Sequence, residues 1–330
     1  MFLIRPFQFD DIPSAAALWN DSVRRDEVVF KPADPDLFRR TFWDADCDVR
    51  PYMLAAEEDG RVIGFIVGAC KTRFLPGETA ASTPGYLVAL YVDREHRGRG
   101  VGSALFREME DRMRKAGKAR LNVSEGPIEL GWRIPGAPGH DHNKAPGMDL
   151  DCPGYGFALR RGFEDRVHEV AMYLNLNDYV KSSEISEKQK ALSAAGIRTG
   201  RYDVALRYDF DRMCDRVGSE YWRSVLREET AKENPRPILA ATCDGHIVGF
   251  TGPVDVEPSG RGWFTGICTD PEYERRGIGT VLFNLLMEEF IAVGARFSTL
   301  YTGEQNWAQK IYRRAGFRPV RRFAVMSKAL

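Results

Sequence analysis

Three things are scarce in this chain, and each scarcity removes a class of function. No apolar stretch approaches the ~18 residues that a membrane span requires, and the opening MFLIRPFQFDD has no basic leader ahead of a long apolar run. A cytoplasmic protein with no membrane partner is expected. Cysteine is sparse and scattered: Cys47, Cys70, Cys152, Cys214, Cys243 and Cys268 form no CxxC pair. That spacing speaks against a zinc site or a disulfide framework and fits a reducing compartment. Surplus charge is also missing. The 47 basic residues balance 47 acidic ones, so no global field recruits nucleic acid or an anionic membrane.

What is present is a globular composition, 43% hydrophobic and 28% charged over 330 residues, long enough for two domains. An internal repeat supports that division. LYVDREHRGRGVGSALFREMEDRMRKAGKARL, from Leu90, resembles ICTDPEYERRGIGTVLFNLLMEEFIAVGARFS, from Ile267. Asp93, Gly100, Gly102 and Gly117 each have a counterpart 177 positions later, at Asp270, Gly277, Gly279 and Gly294. Downstream, Gly162-Phe163 matches Gly316-Phe317 at an offset of 154. The first copy therefore carries an insertion, placed at 126–156. A repeat this long signals duplicated domains: 1–176 with the insertion, a polar connection over 177–195, and 196–330.

Each copy reads as mixed α/β. Asp59-Gly60 and Asp244-Gly245 sit between apolar runs, a hairpin signal. A further strand follows, GYLVALYVD or GWFTGICTD, then a glycine-rich turn and a helix. Leu105, Phe106, Met109 and Met113 recur at helical spacing, as do Leu282, Phe283, Leu286 and Phe290.

The turn carries the chemistry. Arg97-Gly98-Arg99-Gly100-Val101-Gly102 lets successive N–H groups point inward at a helix N-terminus, an anion site suited to a pyrophosphate, to which Arg97 and Arg99 can add charge. It is neither G-x-G-x-x-G nor a Walker loop.

Strand, turn and helix together resemble the GCN5-related N-acetyltransferase (GNAT) family, whose signature [Arg/Gln]-x-x-Gly-x-[Gly/Ala] is matched by Arg97, Gly100 and Gly102. The resemblance covers both copies, in an arrangement similar to mycothiol synthase. It implies two mixed sheets flanked by helices, each splayed between its fourth and fifth strands, with acetyl-CoA as cosubstrate. By that resemblance, backbone groups of Leu90, Tyr91 and Val92 pair with the pantetheine arm, and N–H groups of Arg97 to Gly102, with Ser103, hold the pyrophosphate. The matching positions in copy two are Ile267, Cys268 and Thr269, then Arg275, Arg276, Gly277, Ile278, Gly279 and Thr280. Copy two departs from the pattern at Glu274, where the family has Arg or Gln. Cys268 reads as a strand residue rather than a nucleophile.

The family often supplies a tyrosine four residues before the glycine of the closing Gly-Phe. Copy two has it, Tyr312; copy one has Ala158. Asn306 lies near the family's pantetheine-contacting asparagine, one residue short in spacing. Two arrangements remain open: copy two catalytic through Tyr312 as general acid, or copy one catalytic with a group drawn from its insertion. In that insertion Asp149 and Asp151, with Glu125 beside it, can attract a cationic amine. His140 and His142 flank Asp141 without further ligands at metal spacing, so no metal is expected. The expected reaction is direct acetyl transfer to a primary amine of a small molecule, by a monomer or homodimer. A silent CoA-binding regulator and a protein or peptide N-acetyltransferase are the alternatives.

Overall fold

The computed structural model describes residues 1–206, 208 and 210–330. They divide into two compact units, Met1–Ala171 with Val320–Leu330, and Met172–Pro319. Unit 1 holds β1 (Leu3–Pro6), α1 (Ile12–Arg24), α2 (Pro35–Phe38), β2 (Met53–Glu58), β3 (Arg61–Ala69), β4 (Gly85–Val92), α3 (Val101–Lys115), β5 (Arg120–Val123), β6 (Trp132–Arg133), β7 (Asp141–His142), β8 (Met148–Asp149) and α4 (Pro153–Arg160). Unit 2 begins inside β9 (Glu164–Asn175). It continues through α5 (Ser183–Ala194), β10 (Arg198–Arg201), α6 (Asp211–Val217), α7 (Glu220–Thr230), β11 (Leu239–Cys243), β12 (His246–Thr251), β13 (Val254–Val256), β14 (Arg261–Phe264), β15 (Ile267–Thr269), α8 (Ile278–Ala292), β16 (Phe297–Gly303) and α9 (Gln309–Arg314). Most of β17 (Arg318–Ala329) returns to unit 1.

In unit 1, β1 to β4 pair antiparallel in order. Asp59 (φ 52°) and Gly60 (φ 73°) make the β2–β3 turn with the left-handed geometry that tight hairpins require. The sheet is covered on both faces. Trp19, Phe38, Phe42, Phe65 and Tyr91 cluster under α1 and α2, and Leu54, Ile63, Ile66, Leu105, Phe106 and Met109 cluster under α3. Each such side chain contributes about 1.5–3 kcal/mol by leaving water.

Beyond β5 the sheet of unit 1 continues with β17: Met326 to Ala329 lie opposite Val123 to Arg120, and Phe323 and Ala324 lie opposite Asp149 and Met148 of β8. A boundary drawn at 196 assigns this strand to the second copy; its register places it in the first. Phe323, Ala324 and Met326 are fully buried there. The insertion is ordered. Its β6–β7 hairpin buries Trp132 against Phe323, with ring centroids 5.2 Å apart. The Arg133 N–H donates to the Val29 carbonyl (2.9 Å).

Unit 2 repeats the plan with β10, β11, β12 and β15 antiparallel, and with β14 between β13 and β16. The strand expected from GWFTGICTD is broken into β14 and β15. Thr251 Oγ1 donates to the Gly266 carbonyl (3.0 Å), and a Cβ on Gly266 would lie 2.7 Å from the Trp222 indole nitrogen. Any side chain at this bend would press on the Trp222 ring. Within the connection, Ser182 caps α5 by accepting from the Glu184 N–H. Lys181 pairs with Glu288 (2.8 Å) on α8.

Candidate functional site

The site of unit 1 follows from a parallel pairing that stops early. β4 and β5 are in register only at Gly85–Leu121 and Tyr86–Asn122, after which they splay. The Asp93 N–H donates to the Ile63 carbonyl on β3 (2.8 Å). By antiparallel alternation Tyr91, opposite Phe65, also spends its backbone on β3, whereas Leu90 and Val92 turn theirs toward the splay. A cavity of about 490 Å³ opens along this edge, within the range of small-molecule sites. The glycine loop closes one end, residues from 147 to 161 form a wall, and Ser22, Glu27, Val28 and Phe30 line the α1 side.

In the loop, Gly98 (φ 77°) and Gly100 (φ 88°) adopt left-handed backbone, which glycine enters without steric cost. Among the described residues, no acceptor engages the N–H groups of residues 98 to 103, the arrangement that an anion satisfies at a helix N-terminus. Leu90, Tyr91, Val92, Arg97, Gly98, Gly100, Val101, Gly102 and Ser103 all line the cavity; Arg99 does not.

The charge expected from Arg97 and Arg99 is already committed. Arg97 donates through Nε to the Val92 carbonyl (3.0 Å) and through Nη1 and Nη2 to the Glu27 carboxylate (3.1 and 2.8 Å). That fork holds the Glu27 carboxyl below its ordinary range. Arg99 pairs with Glu58 (2.8 Å), whose carboxyl is held down to about 2 by Arg99 and by the amino terminus. Cations come instead from Arg160 and Arg161 at the end of α4. Both line the cavity. Arg161 Nη2 donates to Ser103 Oγ (2.5 Å), and its buried Nε has no partner among the described residues. Sequence reading passed over this pair, although Arg160-Arg161 stands directly before the closing Gly162-Phe163. Glu27 carried no signal: its partner is 70 residues away.

The carboxylates expected to draw in an amine are likewise compensated. Buried Asp149 binds Arg321 through two bonds (2.8 and 2.9 Å), Asp151 meets the same arginine (3.2 Å), and Glu125 pairs with Lys144 (3.0 Å). His142 Nδ1 accepts from the Lys144 N–H (3.2 Å). Among the described residues, no group of three or more His, Cys, Asp or Glu could hold a metal ion. Cys152 also lines the cavity, but burial pushes its thiol up to about 11, far from a thiolate at neutral pH.

Unit 2 shows the same splay: β14 meets β16 in parallel only at Arg261–Phe297 and Gly262–Ser298. Here Ile267 and Thr269 turn their backbones away from β12, since the Asp270 N–H donates to Val248 (3.0 Å). In its loop Gly277 (φ 91°) matches Gly100, but Arg275 holds φ 60° without being glycine. Arg276 stacks on Tyr273 (4.8 Å). Gly279 and Thr280 follow in the first turn of α8. Burial pushes the Cys268 thiol up to about 12. Tyr312 lies in α9 against Phe283 (centroids 4.7 Å), and its hydroxyl, pushed up to about 12 by burial, has no hydrogen-bond partner among the described residues. Asn306 accepts from the Ala308 N–H (2.9 Å), which commits its side-chain oxygen to the turn before α9.

Comparison with known proteins gives a concordant result. The model of the acetyltransferase (GNAT) family matches residues 16–126 and 204–317, most of the chain. An L-methionine sulfoximine/L-methionine sulfone acetyltransferase of Pseudomonas paraeruginosa is 30% identical over 131 residues, 39% of this chain and 71% of that protein; its namesake from Pseudomonas aeruginosa matches equally. Among solved structures, a GCN5-related N-acetyltransferase from Sphaerobacter thermophilus aligns with TM-score 0.64 at 17% identity over 99% of this chain and 95% of that one. A tandem GNAT protein from the clavulanic acid biosynthesis pathway aligns with TM-score 0.55 at 16% identity over 100% and 98%. At such identities the structural likeness concerns the fold.

Proposed function

The chain belongs to the acetyltransferase (GNAT) family as a tandem of two such domains, and from that premise we propose that unit 1 transfers an acetyl group from acetyl-CoA directly to a primary amine of a small molecule. The observation that carries this reading is the continuity of one cavity. It joins the unpaired loop N–H groups, the splay-facing N–H groups of Leu90 and Val92, and an α1 side lined by Ser22, Glu27, Val28 and Phe30.

Each part has a task. The N–H groups of residues 98 to 103 and the guanidinium groups of Arg160 and Arg161 bind the pyrophosphate. The outward N–H groups of Leu90 and Val92 hold the pantetheine arm and the thioester, and an N–H donor beside the thioester carbonyl stabilises the charge that develops on oxygen. The amine enters from the α1 side, so donor and acceptor meet without an acyl-enzyme, and the high Cys152 thiol pKa agrees with that. The curated relatives are named for L-methionine sulfoximine and L-methionine sulfone, which supports an acceptor of that size.

Unit 2 supports a second reading, in which Tyr312 is the general acid. Its hydroxyl, on α9, has no hydrogen-bond partner among the described residues, while the loop there starts with Glu274. Steady-state release of CoA thiol with a panel of amines tests the function itself. Amine-dependent release supports transfer. Tight acetyl-CoA binding without release would instead favour a silent sensor, and release only with peptides a protein acetyltransferase.

A further inference from the structure

Copy one has Ala158 where Tyr312 stands in copy two, so unit 1 needs another group to handle the amine proton. Tyr91 lies in β4 and lines the cavity, yet its side chain is not exhausted by packing. The ring stacks on Phe65 (5.3 Å) and tilts against Trp19 (5.0 Å). The hydroxyl at its far end is buried and has no hydrogen-bond partner among the described residues. Glu27 and Cys152, both on the cavity wall, are the ionisable groups that act on it. Buried polar atoms are almost always paired. An unpaired phenol on a residue that lines the cavity is a group whose partner can arrive with the substrate.

We propose that the Tyr91 hydroxyl is a catalytic group of unit 1 that binds the acceptor amine and relays its proton to the leaving thiolate. This rests on the placement of the reaction in unit 1. Oη accepts a hydrogen bond from the amine N–H, which turns the nitrogen lone pair toward the thioester carbon. As the N–C bond forms and the C–S bond breaks, the bonding pair leaves on sulfur. One proton passes from nitrogen to Oη while Oη hands its own proton to sulfur. Amine and thioester become amide and thiol, and the phenol ends neutral. A relay suits this residue because burial, above all, raises its pKa and forbids a lasting phenolate.

The test is Tyr91→Phe, which keeps the ring contacts with Trp19 and Phe65 and removes only an oxygen without a protein partner. Thermal unfolding should occur no lower than in wild type, and acetyl-CoA should bind with unchanged Kd by calorimetry. With an amine that the wild type acetylates, kcat/KM should fall by about 10²-fold, the scale of a lost general acid–base group. A kcat/KM within threefold of wild type overturns the assignment while leaving the unit 1 reaction intact. A lowered melting temperature with a parallel loss of acetyl-CoA binding also overturns it, since the hydroxyl would then be structural. If the wild type releases thiol with no amine, the underlying reading fails and the Tyr91 role fails with it.

Discussion

Gly100→Ala isolates what the loop conformation is worth. A Cβ at Gly100 meets nothing within 4 Å, so crowding is absent and only backbone strain acts. At φ 88° an L-residue pays about 1–2 kcal/mol. That strain has two outlets. If the loop keeps its shape, stability falls by the full amount and acetyl-CoA affinity is unchanged. If the loop relaxes to negative φ, the N–H groups of residues 98 to 103 turn away, stability is spared, and Kd rises by roughly 5- to 30-fold. The stability loss from denaturant melts and the affinity loss from calorimetry should therefore sum to about 1–2 kcal/mol. Gly277→Ala, at φ 91° with only Lys188 Cδ 3.9 Å away, carries the same strain in unit 2 and should leave amine-dependent turnover within about twofold of wild type, because the reaction is placed in unit 1. Wild-type stability, affinity and turnover in Gly100→Ala would refute the loop argument; lost turnover in Gly277→Ala would move the reaction to unit 2.

Four further outcomes are expected. Tyr312→Phe should keep turnover near wild type, and a fall of about 10²-fold measured as thiol release would establish the second copy as catalytic. The same residue predicts an alkaline limit. Its folded pKa, pushed up to about 12, exceeds the unfolded value near 10, so its contribution is complete below pH 10 and is lost as pH rises from 10 through 12. That contribution amounts to about 2–3 kcal/mol, and pH-dependent melts of Tyr312→Phe should lack this part of the decline. Arg161→Gln should weaken acetyl-CoA binding by about tenfold, the loss of one charge-assisted contact, with calorimetry as the measure. Phe323→Ala should cost about 3–5 kcal/mol in denaturant melts, and hydrogen exchange should place the loss in β5 and β8 of unit 1.

Local structure was readable because it is written in adjacent residues. The Asp-Gly turns need positive φ, the α3 and α8 stripes need a 3.6-residue period, and Gly100 and Gly277 need left-handed backbone, so spacing alone pointed to hairpin, helix and loop. Long-range partners were not readable. Nothing near Arg97 announces that Glu27 neutralises it, and nothing near Asp149 announces Arg321, 172 residues on. A loop arginine beside a phosphate site looks available until the fold supplies its carboxylate. The neighbour of β17 was not readable either, because any sheet edge offers the same hydrogen bonds. The use of the Asn306 side-chain oxygen is local, accepting from the Ala308 N–H in a turn.

The placement of β17 also bears on synthesis. Unit 1 holds a contact between Asn122 and Ser327 that spans 205 residues. A ribosome that has made residues 1–171 has made nearly all of this unit, yet β5 still lacks its neighbour. At roughly 5–20 residues per second, the nascent sheet waits on the order of ten to thirty seconds with an open edge, the kind that recruits strands from other chains. A fragment ending at Ala171 would keep that edge for good, so expressed alone it should aggregate unless a peptide of residues 318–330 is supplied to close it.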